Sequence, residues 1–246
     1  MSRVHSPSDP TPIQMDHVRL LRGTTIVFDN LTLRLNESRI GLIGDNGSGK
    51  SSLFRLICGL EKPQSGNVSV WGQDTQSKPA KRVGLVGMMF QNPDDQIIFP
   101  TVEEELALSL SPNGLSRKVN CQEARAVLTA RGLGHWAERA IGSLSQGQRQ
   151  HVCWLALMIA SPKSVLLDEP FSSLDLPGRG MLDLEILKAK QQVIVSTHLL
   201  DHVRGFERVI WLEKGQARGD GDGASVCAAY EADVAARCQS DHLNID

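Results

Sequence analysis

Residues 44–52 read GDNGSGKSS, and this stretch decides the fold of the chain. An apolar run at 39–43 precedes it, and apolar residues with helical spacing follow it, at Leu53, Phe54, Leu56 and Ile57. This order predicts a strand, a glycine-rich loop and a helix. Glycines let the loop curl until several backbone N–H groups point at one anion, and the helix N-terminus adds partial positive charge. The stretch therefore predicts a loop that holds polyphosphate.

The residue types within this P-loop predict how it binds phosphate. Lys50 is expected to reach the β- and γ-phosphates of a nucleotide, and the Ser51 hydroxyl is expected to ligate magnesium. An ordinary glycine-rich turn before a helix is the alternative, and the Gly-Lys-Ser sequence after a strand disfavours it. The predicted binding residues are Gly44, Asp45, Asn46, Gly47, Ser48, Gly49, Lys50, Ser51 and Ser52.

Four further motifs follow the loop in order. Gln91 comes after the hydrophobic run 86–90, and residues 144–148 read LSQGQ at the start of a long apolar helix. Residues 164–170 read SVLLDEP, a buried strand that ends in two carboxylates, and residues 193–198 read VIVSTH, a buried strand that ends in a histidine. Together with the P-loop, this order and spacing resemble the nucleotide-binding subunits of ABC transporters. The resemblance covers roughly residues 15–220.

The resemblance implies an α/β fold, that of a P-loop NTPase of the ABC ATPase type. Such a domain has a mostly parallel core sheet, an antiparallel β-subdomain and a helical subdomain. The hydrophobic pattern agrees, because Leu31, Leu33 and Leu35 alternate as in an antiparallel strand with one buried face. Near-continuous apolar runs predict buried parallel strands at 83–90, 165–168, 193–196 and 208–212.

Changes of pattern along the chain predict three segments. Residues 1–15 are expected to form a disordered lead-in, residues 16–222 the ATPase domain, and residues 223–246 a short C-terminal helix and tail. Within the ATPase domain, the pattern turns helical and more polar from about residue 92 to residue 160, which predicts a helical lobe.

Composition limits the classes of function. The formal net charge of −2 gives no reason to expect nucleic acid as a partner, and the apolar run Val152–Ala160 is far shorter than a membrane span. The five cysteines lack metal-ligand spacing, so we expect reduced thiols. The first residues lack the apolar core of a signal peptide. These observations predict a soluble protein that stays in the cytoplasm.

The resemblance implies roles for the residues that follow the strands. Asp168 and Gln91, with Ser51, are expected to hold Mg²⁺, and Gln91 also to contact the attacking water. Glu169 is expected to polarise that water, and His198 to contact the γ-phosphate, so that both act in catalysis together with Gln91 and Lys50. The alternative is that one of the two acids, Glu169 or Asp168, merely caps the next turn.

The LSQGQ segment has a separate task. Ser145 is predicted to cap a helix whose positive end faces an anion, and Gly147 to allow close backbone approach. The resemblance implies that Ser145, Gly147 and Gln148 contact the γ-phosphate of an ATP held by a second subunit, in a homodimer or in a pair with a related ATPase. Asp175 would cross that interface.

Two positions depart from the family pattern. The family's usual LSGGQ is LSQGQ here, so the side chain of Gln146 must be accommodated. Where the family stacks an aromatic residue on adenine, the chain has Arg22, whose planar guanidinium is able to stack on a base. The alternative for Arg22 is a solvated surface arginine.

The residues after Gln91 narrow the resemblance. Residues 92–96 read NPDDQ and residues 99–105 read FPTVEEE, which looks like the energy-coupling factor ATPases, closest to the biotin type, with the cobalt type nearly as similar. In that family the segment faces a transmembrane coupling protein that carries arginines. The acids expected to meet those arginines are Asp94, Asp95, Glu103, Glu104 and Glu105, and the alternative is a solvated helix face.

The sequence thus predicts an ATP- and Mg²⁺-dependent ATPase at the cytoplasmic face of the membrane, as a peripheral subunit of an importer. It would dimerise on ATP and drive uptake of a vitamin or metal, with biotin favoured over cobalt or nickel. Its expected partners are a transmembrane coupling protein and a substrate-binding membrane protein, and no nucleic acid. The competing class is a soluble ABC-type ATPase that acts on nucleic acid or ribosomes. A third class, a module that holds ATP without hydrolysing it, is disfavoured by Asp168, Glu169 and His198.

Overall fold

The computed structural model describes residues 11–242. Most of the lead-in that the sequence predicts lies outside these residues, and the first strand already begins at Ile13. The strands are β1 (Ile13–Arg22), β2 (Thr25–Leu35), β3 (Arg39–Ile43), β4 (Ser65–Val70), β5 (Gln73–Asp74), β6 (Val86–Met89), β7 (Ser164–Asp168), β8 (Gln192–Ser196), β9 (Arg208–Glu213) and β10 (Gln216–Gly221). The helices are α1 (Lys50–Ile57), α2 (Val102–Leu108), α3 (Arg117–Ala130), α4 (Gln146–Ala160), α5 (Leu176–Lys188) and α6 (Gly223–His242).

The chain divides into two units. The first contains the residues up to Lys78 and those from Gln192 onward, and the second contains Pro79–Gln191. The second unit includes the predicted helical lobe and extends beyond it at both ends, because it also contains β6, β7 and α5.

An antiparallel sheet forms one part of the first unit. Its strand order is β2-β1-β4-β5, and β1 pairs with β2 from Ile13 opposite Leu35 to Arg22 opposite Thr25. The alternating side chains Leu31, Leu33 and Leu35 are all buried, as the sequence predicts. The buried face of β2 therefore supplies a continuous apolar surface to the core of this unit.

A second group of strands in the first unit positions the P-loop. Strand β3 runs parallel to β8 on one side and to β9 on the other, and β10 is antiparallel to β9. The side chains of β3 and β8 are buried throughout, as expected for strands covered on both faces. The P-loop leaves the carboxyl end of β3 and leads into α1, which is the predicted order of strand, loop and helix.

The second unit contains a parallel strand pair and the helices α2 to α5. Strands β6 and β7 pair from Val86 opposite Ser164 to Met89 opposite Leu167. Strand β6 is shorter than the predicted 83–90 because the chain turns just before it: Gly84 has a φ of +74°, and the Leu85 N–H donates to the Arg82 carbonyl. Helix α3 begins at Arg117 because the Ser116 hydroxyl caps it by accepting from the Val119 N–H.

Helix α6 is longer than the short terminal helix that the sequence predicts. It runs over 20 residues, Gly223–His242, and it packs on β9 and β10 of the first unit. None of the helices within residues 11–242 combines the length and the apolar character that a bilayer span needs.

Arg208 joins both sheets of the first unit at the start of β9. Its guanidinium donates to both carboxylate oxygens of Asp220 on β10, at 2.6 and 2.7 Å, to the Arg34 carbonyl on β2 at 2.6 Å, and to Glu37 at 3.1 Å. These bonds, led by those to Asp220, raise the pKa of Arg208 against the opposing effect of burial. The half-buried cation is therefore paired with two carboxylates and a backbone carbonyl.

We predict that Arg208→Ala lowers the free energy of unfolding by about 1–3 kcal/mol, because it leaves two carboxylates and a carbonyl without their shared donor. Urea denaturation followed by circular dichroism measures the change. Arg19→Ala is the matched control, since the Arg19 side chain meets only the exposed Asp29, at 3.6 Å, among residues 11–242. Equal stability of the two variants would show that the Arg208 contacts contribute nothing beyond a surface pair.

Candidate nucleotide site

The P-loop has the backbone shape that its glycines predict. Gly44, Gly47 and Gly49 have φ values of +137°, +80° and +110°, in the region that side chains avoid. At Gly44 the approach of β9 excludes any side chain, because a Cβ atom would lie 2.1 Å from the carbonyl oxygen of Leu212. The loop can therefore turn away from β3 only with glycine at this position.

Three polar residues of the P-loop are buried: Ser48, Lys50 and Ser52. The Lys50 ammonium group donates to the carbonyl oxygens of Gly44 at 2.7 Å and Asp45 at 3.0 Å, and the residue is only 9% exposed. The Ser48 hydroxyl is also buried, and it has no hydrogen-bond partner among the described residues. A cation and an unpaired hydroxyl in a turn of backbone N–H groups fit a polyphosphate.

His198 lies at the same edge of the sheet as the P-loop. It follows β8, whose Ser196 pairs with Leu42 of β3, and the Thr197 N–H donates to the Leu42 carbonyl at 3.2 Å. The carboxyl ends of parallel strands are where open α/β sheets bind ligands. The pairing of β3 with β8 thus brings His198 and the P-loop to one edge of the first unit, and His198 itself is exposed.

The carboxylate of Asp45 is engaged by the C-terminal helix. It accepts a hydrogen bond from the Tyr230 hydroxyl at 2.8 Å and from the Arg237 guanidinium at 2.6 Å. The bond from Arg237, followed by that from Tyr230, lowers the pKa of Asp45 below its ordinary value. Burial, and then the bond to Asp45, raises the pKa of Tyr230 to about 12. The sequence predicts Asp45 as a loop residue but does not predict these partners.

Arg22 stands at the end of β1, and its guanidinium is paired within the chain. It donates to both carboxylate oxygens of Glu61, at 3.3 and 3.0 Å, and this bond raises its pKa. The side chain is about half exposed, so the pairing orients the guanidinium plane without burying it. Its stacking on a base stays a prediction.

In the second unit, Gln91 and the two acids lie after neighbouring strands. Met89 at the end of β6 pairs with Leu167 of β7, so Gln91 and the Asp168-Glu169 pair emerge at the same edge. Asp168 is buried at 7% exposure, and Gln91 is exposed. The parallel register therefore brings together, within this unit, the amide and the carboxylates that the sequence singles out.

Glu169 has an unusual backbone. Its φ is +48°, a left-handed conformation. Of the six non-glycine residues with positive φ within 11–242, Glu169 alone is acidic. Its carbonyl accepts from the Ser172 hydroxyl at 2.9 Å and from the Ser172 N–H at 3.3 Å. Such a conformation costs about 1–3 kcal/mol, and residues held in it cluster at active sites, ligand clamps and switch regions. Ser172, which holds this turn, was not singled out for it by the sequence.

The LSQGQ segment begins α4 as predicted, with Ser145 as its N-cap. The Ser145 hydroxyl accepts from the Gln148 N–H, and the Gln148 side chain accepts from the Ser145 N–H, a complete capping box. The helix begins at Gln146, the residue that replaces the family's usual glycine. Its side chain is exposed, so the backbone accommodates it without rearrangement. Gly147 lies against Leu174, so close approach at this glycine already occurs within the chain.

A cavity of about 570 Å³ lies beside the start of α4. It is lined by Ser145, Gly147 and Gln148, by the loop Ser173–Asp175, and by the side chains of Trp136 and Trp154. Asp175 caps α5 by accepting from the Gly178 N–H at 3.0 Å, a role within its own chain. The predicted contact of Asp175 with a second subunit stays a prediction.

The acids expected to meet a partner's arginines are mostly paired within the chain. Asp94 forms an ion pair with Arg149 at 2.9 Å, Glu103 pairs with Arg125 at 2.8 Å, and Glu104 pairs with Arg117. The buried Glu105 carboxylate accepts from the N–H groups of Ile98 and Phe99. Asp95 is exposed and has no such partner among the described residues. Of the five acids, the structure therefore leaves Asp95 as the one suited to meet an external cation.

Comparison with known proteins agrees with this geometry. The family model for ABC transporters matches residues 28–172. The chain is 46% identical to the biotin transport ATP-binding protein BioM of Rhodobacter capsulatus over 89% of this chain and 93% of that protein. It is 35% identical to the energy-coupling factor transporter ATP-binding protein EcfA1 of Ligilactobacillus salivarius, over 90% of this chain and 81% of that protein.

A solved structure has the same fold. CbiO1 of Clostridium perfringens, part of the ABC transporter complex cbiONQ, superposes with a TM-score of 0.76 over 92% of this chain and 93% of that chain, at 22% identity. Its likeness supports the α/β fold of an ABC ATPase with parallel and antiparallel sheets. With the P-loop and the strand-end acids, the match of the family model and the identity to its relatives lead to one conclusion: the chain belongs to the ABC transporter family, as one of its ATP-binding proteins.

Proposed function

We propose that this chain is the ATP-hydrolysing subunit of an energy-coupling factor importer, which dimerises on ATP and drives uptake of a vitamin or metal. ABC ATP-binding proteins are ATPases coupled to transport, and this chain is one of them. The observation that carries hydrolysis is the left-handed backbone of Glu169 directly after the buried Asp168. A strained acid next to a buried acid at a strand end is suited to chemistry rather than to packing.

ATP binding rests on the P-loop. Its backbone N–H groups, the Lys50 ammonium group and the unpaired Ser48 hydroxyl supply the donors that phosphate oxygens accept. The residues proposed to hold ATP are those of the loop from Gly44 to Ser52, together with Arg22, which would stack on the adenine base. Ser145, Gly147 and Gln148 are proposed to contact the ATP that a second subunit holds. His198 is proposed to contact the γ-phosphate from the edge that it shares with the P-loop.

The residues proposed to hold Mg²⁺ fit that ion by their chemistry. Ser51 offers a hydroxyl, Gln91 an amide oxygen and Asp168 a carboxylate, all of them the hard oxygen donors that Mg²⁺ prefers. When bound, Mg²⁺ neutralises charge on the phosphate oxygens. The role proposed for Glu169 is to accept a proton from the attacking water and so to orient it toward the γ-phosphate.

The importer and its cargo are inferred from the relatives and from residues 92–105. The relative of highest identity given above is a biotin transport protein, another is an energy-coupling factor protein, and CbiO1 is part of a complex with other components. These names favour biotin as the transported substrate, with cobalt or nickel next. We accordingly propose a transmembrane coupling protein and a substrate-binding membrane protein as partners, and a peripheral position on the cytoplasmic face of the membrane.

We predict that Glu169→Gln lowers ATP turnover by about 10²–10⁴-fold, the range of a lost general base, because the amide cannot accept the proton. ATP binding should persist, and the dimer should accumulate on a sizing column with ATP. Phosphate release by the purified chain measures turnover, with the exposed Glu123→Gln as the matched control. Turnover near that of the control would remove Glu169 from the catalytic role.

We predict that Lys50→Ala abolishes tight ATP binding as well as turnover, since it removes the full positive charge that the P-loop itself carries. Calorimetric titration with ATP measures the affinity. Lys62→Ala, at an exposed lysine of the same unit, should bind ATP like the unaltered chain. The P-loop assignment is wrong if Lys50→Ala keeps normal affinity.

We predict that Asp95→Lys separates transport from basal hydrolysis. Asp95 lies outside the P-loop and is exposed, so the ATPase rate of the isolated chain should stay within about twofold. A lysine that faces an arginine of the coupling protein costs several kcal/mol, so complex assembly should fail. Co-purification with the membrane subunits and biotin uptake by cells measure the loss, with Glu123→Lys as control. Normal assembly of Asp95→Lys would place the docking surface elsewhere.

A further inference from the structure

One face of α6 carries three polar residues, and two of them, Tyr230 and Arg237, contact the P-loop. Tyr230, Asp233 and Arg237 are spaced at i, i+3 and i+7, which places them on the same side of the helix. The Tyr230 hydroxyl donates to Asp45 Oδ1 at 2.8 Å, and Arg237 donates to Asp45 Oδ2 at 2.6 Å and to Oδ1 at 3.3 Å. We call this arrangement of Tyr230 and Arg237 on Asp45 the Asp45 clamp.

Residues of β9 and β10 hold the clamp in place through ion pairs and ring contacts. Asp233 forms ion pairs with Arg237 at 2.8 Å and with Arg218 at 2.6 Å. Arg218 in turn lies over the ring of Trp211, 4.3 Å from its centroid, and Trp211 meets the Tyr230 ring edge-on at 5.3 Å. Single exposed ion pairs contribute little, but a connected network holds its members in one geometry. Arg237 is therefore oriented on Asp45 before any ligand arrives.

The negative charge of Asp45 would weaken phosphate binding at this loop unless it is offset. Its backbone belongs to the loop, since its carbonyl accepts from both Lys50 and the Ser48 N–H. A carboxylate on such a residue repels a bound polyphosphate unless a cation offsets it. Arg237 supplies that cation at 2.6 Å, and this bond, followed by that from Tyr230, lowers the pKa of Asp45.

We propose that α6 is a positioning element for nucleotide binding, in which Tyr230 and Arg237 fix the second residue of the P-loop and offset its negative charge. The inference rests on the proposed binding of ATP at this loop. It assigns a task to the C-terminal segment that the sequence leaves without one. Tyr230 and Arg237 act through Asp45 and are positioning residues, not catalytic ones.

The test is a set of variants of the full chain titrated with Mg-ADP, which binds without turnover. Arg237→Gln should weaken ADP binding by about three- to tenfold, as expected for one uncompensated charge near the surface. The loss should shrink as NaCl rises from about 50 mM to about 500 mM, because salt screens the repulsion. Arg237→Lys should keep most of the affinity, because it keeps the charge.

Asp45→Asn distinguishes charge compensation from a structural effect. Added to Arg237→Gln, it should restore ADP affinity to within about twofold of Asp45→Asn alone, since no carboxylate is then left to repel phosphate. If the double variant binds as weakly as Arg237→Gln, the loss comes from a displaced helix and the inference fails. Unchanged affinity of Arg237→Gln overturns it directly.

Arg204→Gln is the matched control. Arg204 anchors the same helix through Glu231 and lies outside the clamp. It should leave ADP affinity unchanged even if it lowers thermal stability, and a loss equal to that of Arg237→Gln would overturn the inference. If the unaltered chain itself fails to bind ADP and ATP, the proposed function fails. If it binds them and Arg237→Gln binds equally well, only this inference fails.

Discussion

The contact of the P-loop with the backbone of β9 constrains the whole first unit. The Leu212 carbonyl occupies the space that a side chain at Gly44 would need, so the loop packs directly on β9. That packing requires β3 and β9 to keep the register in which Ile43 pairs with Trp211. The Gly44 carbonyl is then free to accept from Lys50. One close backbone approach thus links the sheet register, the loop and its cation.

Arginine–carboxylate pairs organise the surfaces of both units. In the first unit they connect α6 to the P-loop and β9 to its neighbours. In the second unit they pair with acids that the sequence alone presents as an unpaired, negatively charged surface. Each exposed pair contributes little to stability, yet each withdraws a carboxylate from other cations. A run of acids along a chain therefore overstates the charge that the folded surface presents.

The sequence predicts well where the signal is local. Buried parallel strands are readable from continuous apolar runs, the P-loop from its glycines and lysine, and the start of α4 from Ser145 and Gln148, three residues apart. Sequence patterns do not predict which polar residues pair when the partners are far apart in the chain. Asp45 and Arg237 are 192 residues apart, and nothing periodic connects them. The left-handed backbone of Glu169 is likewise not predictable from the sequence, because the surrounding turn imposes it.

The packing of Arg218 and Tyr230 against Trp211 makes this indole a fluorescent reporter of the C-terminal helix. The indole is buried between β9 and the terminal helix, one residue before the carbonyl that packs on the P-loop. Its emission depends on its contact with Tyr230 and on its shielding from water, and both change if the helix lifts away. The chain also contains Trp71, Trp136 and Trp154, so replacing these three with Phe isolates the Trp211 emission. Motion of the C-terminal helix can then be followed without a dye or a label.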